Sequence, residues 1–257
     1  MNTDLGGRRV LVTGANSGLG AAMARAFAAE GARVAINYLT DPEAADALVG
    51  DCGGEAVGLM ADVSDPAAVA TMFARLDQCW GGLDVLVNNA GIDGHAALGW
   101  EADVDAWGKV IDVNLKGAFL CARQALRRMV PQGSGVILNT SSVHEVIAWT
   151  GYSAYAASKA GLSMMSRSLA QEAAPHGVRV LCIAPGAIRT PINRQVWQDP
   201  EGRRDLLGKI PLGRLGEPED VARMAVVLAS DIAGYVTATT VFVDGGMTDY
   251  PSFAHGG

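Results

Sequence analysis

The sequence predicts an α/β fold, a doubly wound parallel sheet of seven strands with helices on both faces. Two observations predict it. Short runs rich in Val, Ile and Leu alternate with longer segments of helical spacing, the pattern of repeated βαβ units. A glycine-rich turn stands where the first such run hands over to the first helical segment. The composition suits one large core: 257 residues, 49% hydrophobic and 18% charged, a balance that excludes disorder and small disulfide-stapled scaffolds.

The elements follow in order. Arg9 to Thr13 reads as a buried strand, and Leu19 to Glu30, with Met23 and Phe27 one turn apart, as the helix that Gly31 ends. Arg33 to Tyr38 is the second strand, Pro42 to Val49 a helix, and Ala56 to Met60 a third strand running on to Asp62. Pro66, preceded by Ser64 and Asp65, opens a helix to about Cys79. Asp84 to Val87 is a strand, Asp103 to Met129 one helical stretch, Val136 to Asn139 a strand, and Tyr152 to Ala174 a long helix. Val178 to Ile183 is the next strand. An irregular polar segment then runs from Pro185-Gly186 to about Gly216, followed by a helix from Pro218 to Ala229 and a last strand from Thr240 to Val243. No linker or repeat interrupts this, so one domain is expected over residues 1–257, with a cofactor half to about residue 140 and a catalytic and substrate half from about 141.

Charge and cysteine usage narrow the function classes. Twenty Lys and Arg against 27 Asp and Glu leave a net charge of −7 with no basic stripe, which argues against a nucleic-acid partner. No apolar run approaches the length of a membrane span, and the opening MNTDLGGRR has acid and glycine before any apolar run, so a cytoplasmic protein is expected. Cys52, Cys79, Cys121 and Cys182 lie far apart and are expected to be buried thiols. The histidines form no ligand pair, and no metal is expected.

In a doubly wound sheet, ligands bind beyond the carboxyl ends of the strands, which points to Gly14, Asp62, Asn88, Ser141 and Pro185. The segment Thr13-Gly14-Ala15-Asn16-Ser17-Gly18-Leu19-Gly20 carries the strongest signal there. Gly14 allows the tight turn, Gly18 lets backbone approach a pyrophosphate, and Gly20 lets helix pack on strand, while the helix N-terminus offers free N–H groups. The segment's spacing is GxxxGxG rather than GxGxxG, and in this strand-turn-helix setting it points to a Rossmann-type dinucleotide site more than to a glycine-rich turn with no ligand. Tyr38 stands where an acid would hold the ribose of NAD, and Leu39 where an arginine would hold the 2′-phosphate of NADP. Either cofactor is allowed; Asp41, with Thr40 the nearest polar group, tips the balance slightly toward NAD by repelling a phosphate. Asp62, followed by Val63, either accepts the adenine amino group or caps the helix at Pro66. Asn89, Ala90 and Gly91 let backbone run against a flat cofactor, and Asn88 pins neighbouring strands.

Tyr155 and Lys159, four apart, share a helix face, where an ammonium near a phenol lowers a reference pKa of about 10. Ser142, just past a strand, is placed to hydrogen-bond a reacting oxygen, and Asn114 supplies an amide to hold a water or a backbone group behind the lysine.

On TGANSGLG, NNAG, NLKG, Ser142, YAASK and PGAIRT, in that order from Thr13 to about Gly246, the chain resembles the short-chain dehydrogenase/reductase family. The resemblance implies an oxidoreductase moving hydride between nicotinamide and a carbinol carbon. It implies Tyr155 as general base, Lys159 holding the nicotinamide ribose, Ser142 orienting the substrate oxygen and Asn114 maintaining a proton relay. Ile188 and Thr190, after Pro185 and Gly186, match residues that contact the carboxamide. It implies a homotetramer as well, in keeping with the apolar faces of the long helices. The family's usual Tyr-x-Thr-Gly before the last strand is Tyr235-Val236-Thr237-Ala238 here, which puts local packing in question.

Further stretches resemble bacterial glucose 1-dehydrogenases: Ser141-Ser142-Val143-His144-Glu145, Thr190-Pro191-Ile192-Asn193, Asp199-Pro200-Glu201 and the tail from Asp244 to Phe253. A sugar substrate is therefore expected, with His144, Glu145, Asp93 and His95 supplying groups for its hydroxyls and Trp149 in the substrate-facing loop. A ketone or 3-oxoacyl reductase is the alternative, and a non-catalytic dinucleotide-binding protein a second. Trp100, Trp107 and Trp149 read more readily as packing residues than as ligand platforms. Met164 and Met165 read as core or a subunit contact, and Arg127 and Arg128 as a solvated helix end.

Overall fold

The computed structural model describes residues 3–190, 197 and 199–249. Its strands are β1 (Arg9–Val12), β2 (Arg33–Tyr38), β3 (Val57–Met60), β4 (Val85–Asn88), β5 (Gly135–Thr140), β6 (Val178–Pro185) and β7 (Thr240–Val243). They form one sheet in the order β3-β2-β1-β4-β5-β6-β7, and every pairing is parallel. The chain builds outward from β1 to β3, then returns to lay β4 on the other side of β1. That reversal between β1 and β4 is the switch point where a crevice opens beyond the strand ends.

Helices α1 (Gly18–Ala29), α2 (Pro42–Cys52), α3 (Pro66–Trp80), α4 (Val104–Ile111), α5 (Ala118–Gln132), α6 (Ser153–Ala173), α7 (Pro200–Gly208) and α8 (Pro218–Ala229) connect the strands. Strand alternation divides the core in two. Val10, Val12, Val34 and Ile36 face α1 and α8 with Met23, Phe27 and Val221; Leu11, Leu86 and Ile137 face α3, α5 and α6 with Phe73, Leu76 and Met129. Side chains this deeply buried contribute about 1.5–3 kcal/mol each by leaving water.

Several expectations change. The helical stretch from Asp103 is interrupted by a π-helical segment, Asp112–Gly117, that carries Asn114. The segment expected to be irregular contains α7, begun by Asp199, whose carboxylate accepts from Gly202 N. Trp100 is largely exposed, Met164 is exposed and so not core, leaving the subunit-contact alternative, and of the cysteines only Cys121 and Cys182 are buried. Asp65, not Asp62, caps α3, accepting from Ala67 N. Among the described residues no helix is long and apolar enough to cross a membrane.

Candidate active site

At the switch point lies a cleft of about 580 Å³. Its floor on the β1 side is the glycine turn. Gly14 and Gly18 have φ of 58° and 55°, the left-handed region that glycine enters without penalty. A Cβ on Gly14 would stand 2.8 Å from Ala90 Cα, and one on Gly20 2.5 Å from the Gly14 carbonyl, so strand, turn and helix meet backbone to backbone. Ser17 heads α1 in extended conformation without turning its side chain back to cap it, and the first turn carries no acid. The helix therefore presents unsatisfied N–H groups and a partial positive charge to the cleft, the chemistry that holds a dinucleotide pyrophosphate.

The loops around this turn are cross-tied. Asn37 Oδ1 accepts from Gly14 N, while its amide donates to the Leu59 and Ala61 carbonyls. Thr13 Oγ1 accepts from Asn89 N and Ala90 N, and Asn89 Nδ2 donates to the Thr13 and Gly14 carbonyls. Asn88, one residue deeper, donates to Asn139 and the Ala118 carbonyl. Asp62 accepts from Ser64 and pairs with Lys109 at 3.6 Å; these donors hold its carboxyl below the usual range.

Of the residues expected to hold the cofactor, Gly14, Asn16, Ser17, Gly18, Leu19, Asp62, Val63, Asn89, Ala90, Gly91, Tyr155, Lys159, Pro185, Gly186, Ile188 and Thr190 line the cleft. Gly20 lies behind them, as its packing role requires. Tyr38 does not line the cleft: alternation along β2 turns its ring into the core beside Gly58, and Asn37 faces the glycine turn instead. Leu39 and Thr40 reach the cleft, whereas Asp41 caps α2 through Ala44 N.

Ser142, Tyr155 and Lys159 converge at the other end. β5 delivers Ser142 to the neighbourhood of the phenol, while α6 presents Tyr155 and Lys159 one turn apart. Burial pushes the phenol up to about 12, against the lowering effect of Ser142. Lys159 stands beside the phenol. Its Nζ lies over the ring, 5.5 Å from the centroid, and donates to the Thr140 carbonyl at 2.8 Å; burial pushes the ammonium down to about 8. Asn114 sits behind, its Oδ1 accepting from Ile92 N and its Nδ2 donating to Ile92 O and Ser158 Oγ. The π-helical turn brings this side chain inward, and it holds a backbone group.

Asp93, His144 and Trp149 line the substrate end. His144 stacks on Trp149 at 4.5 Å and meets Tyr155 edge-on at 6.1 Å; Trp149 stacks in turn on Tyr152 at 3.9 Å. Trp149 thus packs on two aromatic rings while also lining the cleft. Burial raises Asp93 and lowers His144 from their ordinary values. Glu145 turns inward to Ser163, and neither it nor His95 lines the cleft. Ile92, Thr140, Val143, Leu206 and Met247 also line the wall without having been foreseen, because only tertiary packing gathers them. Residues 191–193 of the Thr190-Pro191-Ile192-Asn193 stretch, and Tyr250 to Phe253, lie outside the described residues.

The arrangement matches known proteins throughout. The family model described as enoyl-(acyl carrier protein) reductase matches residues 14–248. The chain is 49% identical to 3beta-hydroxysteroid dehydrogenase 1 of Eggerthella lenta, over 100% of this chain and 99% of that protein. It is 42% identical to glucose 1-dehydrogenase 2 of Bacillus subtilis, over 98% and 99%. The crystal structure of levodione reductase superposes with a TM-score of 0.89 at 37% identity, covering 95% of this chain and 98% of that one. Glycine turn, Ser142, Tyr155 and Lys159 all stand where such a fold does its chemistry, and the chain belongs to the short-chain dehydrogenase/reductase family of NAD(P)-dependent oxidoreductases acting on CH–OH groups.

Proposed function

We propose that this enzyme oxidises a ring carbinol that carries at least one further hydroxyl, a sugar such as glucose, with Tyr155 as base, Ser142 orienting the reacting oxygen, and Lys159 and Asn114 behind them. The observation that carries the substrate reading is the hydrogen-bonding character of the substrate end. His144 Nδ1 faces the Ile147 carbonyl at 3.0 Å, an acceptor, so Nδ1 carries the proton and the neutral ring offers Nε2 only as an acceptor. The Asp93 carboxylate is likewise an acceptor when ionised. Two acceptors beside the reacting centre call for donors on the substrate, which a second hydroxyl supplies and a carboxylate does not.

The bound nicotinamide supplies the hydride acceptor. Gly14, Ser17, Gly18 and Leu19 would hold the pyrophosphate, Asp62 and Val63 the adenine end, Asn89, Ala90 and Gly91 the middle, and Pro185, Gly186, Ile188 and Thr190 the nicotinamide end. NAD is the preferred form in this reading, supported by uncharged Leu39 and Thr40 at the end of β2 and the Asp41 carboxylate next to them. Tyr155 takes the carbinol proton while Ser142 donates to the same oxygen, and microscopic reversibility lets the same groups reduce a ketone. A homotetramer belongs to the same reading, supported by the exposed apolar side chains of Val104, Phe119 and Met164 on α4, α5 and α6.

A second reading, an alicyclic alcohol or ketone with an otherwise apolar skeleton, is favoured by Ile92, Val143, Leu206 and Met247 on the cleft wall. A spectrophotometric assay with NAD or NADP against glucose, other sugars, cyclohexanol, 1,2-cyclohexanediol and a hydroxysteroid separates the two. Preference for the polyols supports the first reading, and preference for the steroid overturns it. Tyr155→Phe should bind cofactor and lose turnover by about a hundredfold or more; retained turnover would sink the catalytic assignment.

A further inference from the structure

Directly below the catalytic layer, Asn88, Asn139, Cys182 and Thr240 occupy successive register positions on β4, β5, β6 and β7. Their side chains join into a polar rung. Asn88 Nδ2 donates to Asn139 Oδ1 at 2.8 Å, Asn139 Nδ2 donates to Ser166 Oγ at 2.7 Å, and the Cys182 thiol donates to the same hydroxyl. One turn earlier on α6, Ser163 Oγ meets Thr240 Oγ1 at 3.3 Å and donates to Glu145 Oε1 at 3.1 Å. Glu145 therefore ends the rung, and it does so from the 3₁₀ turn Val143–Glu145 that directly follows Ser142.

That turn is tightly knit. His144 N donates to Ser142 Oγ and Glu145 N to the Ser142 carbonyl, so Ser142, His144 and Glu145 move together. Ser163 is four residues beyond Lys159 and eight beyond Tyr155, on the same face of α6. The Glu145–Ser163 bond thus links the unit carrying Ser142 and His144 to the helix face carrying the base. Glu145 does this at a cost. Its Oε2 is buried with no hydrogen-bond partner, an arrangement that a residue selected for stability alone would avoid.

We propose that Glu145 is a positioning residue, which through Ser163 sets where Ser142 and His144 stand relative to Tyr155. The inference rests on the reading of Ser142 as the group that orients the substrate oxygen. The carboxylate also contributes, with Asp93 and Cys182, to the field at Lys159, so position and charge must be told apart.

The experiment uses the full chain and a substrate that the wild-type enzyme turns over. Glu145→Ala, Glu145→Gln, Ser163→Ala and the Glu145→Ala/Ser163→Ala double variant are compared for kcat, KM, NADH affinity by fluorescence and melting temperature. Glu145→Ala and Ser163→Ala should each lower kcat about tenfold and leave NADH affinity within about twofold, and the double variant should be no slower than the slower single one. Glu145→Gln, which keeps an acceptor for Ser163, should recover most of the loss. The proposal falls if Glu145→Ala keeps kcat within about twofold, if the two losses multiply, or if NADH affinity and stability fall in parallel with kcat. It falls too if Glu145→Gln is as slow as Glu145→Ala and moves the alkaline limb of the pH profile, since charge rather than position would then be at work. Should Glu145→Ala not fold, Ser163→Ala and Glu145→Gln decide by the same criteria. Ser142→Ala is the control: retained turnover there would refute the role of Ser142, whereas its loss with an unaffected Glu145→Ala would refute only the role of Glu145.

Discussion

Lys159 and Thr140 are joined by a 2.8 Å hydrogen bond from the ammonium to the strand-end carbonyl, so the buried cation is fastened to the strand that delivers Ser142. The fastening does not offset the cost of burying the charge, and the group is pushed down to about 8. Below that pH the lysine is protonated in folded and unfolded chains alike, and the whole cost is carried. Between about pH 8 and 10.5 the unfolded chain binds the extra proton, so stability rises with pH across that window. Lys159→Met should therefore abolish turnover yet melt higher than the wild type at pH 7, by up to about 3 kcal/mol less the lost hydrogen bond. The gap should close toward pH 10.5. Melting curves across pH check it; a variant that melts lower at pH 7 would show that Lys159 stabilises the fold.

Ala238 occupies the left-handed region at φ 56°, where a Cβ is strained and where the family pattern has glycine. Its N–H donates to the Val180 carbonyl, which holds the chain in that conformation beside β6. Ala238→Gly should stabilise the protein by up to about 1 kcal/mol, part of the strain relief being lost to the greater freedom of glycine in the unfolded chain. Urea denaturation measures it, and a clear loss of stability would mean that the methyl packing outweighs the strain.

Thr13 is buried and its single hydroxyl accepts from two backbone donors, Asn89 N and Ala90 N. Thr13→Val keeps the shape and strands both N–H groups, at a cost of about 2 kcal/mol or more. Because these residues form the floor of the cleft, dinucleotide affinity should fall together with stability. Fluorescence titration with NADH is the check, and unchanged affinity would free this tie of any role in binding.

Val104, Phe119 and Met164 expose apolar side chains on three helices. Light scattering should give a mass near four times that of one chain, and a charged replacement such as Phe119→Asp should shift the mixture toward smaller species. A single-chain mass for the wild type would refute the tetramer.

The sequence by itself determined the strands, the order of the motifs and the three residues to which we assign the chemistry. Each of these is local: Val10 and Leu11 divide between two core faces by strand alternation, the glycines of the first turn follow from backbone geometry, and Tyr155 and Lys159 share a face because a helix repeats every few residues. What required the tertiary structure was everything set by neighbours distant in sequence. Tyr38 and Asn37 differ by one residue, and only the packing of β2 against the glycine turn decides that Asn37 faces it. The π-helical turn that brings Asn114 inward leaves no mark on the apolar spacing of the segment. Leu206 and Met247 reach the cleft from elements whose positions depend on the whole chain. Burial, finally, is set only by the packed fold, and it acts on both groups, pushing the Tyr155 phenol up to about 12 and the Lys159 ammonium down to about 8.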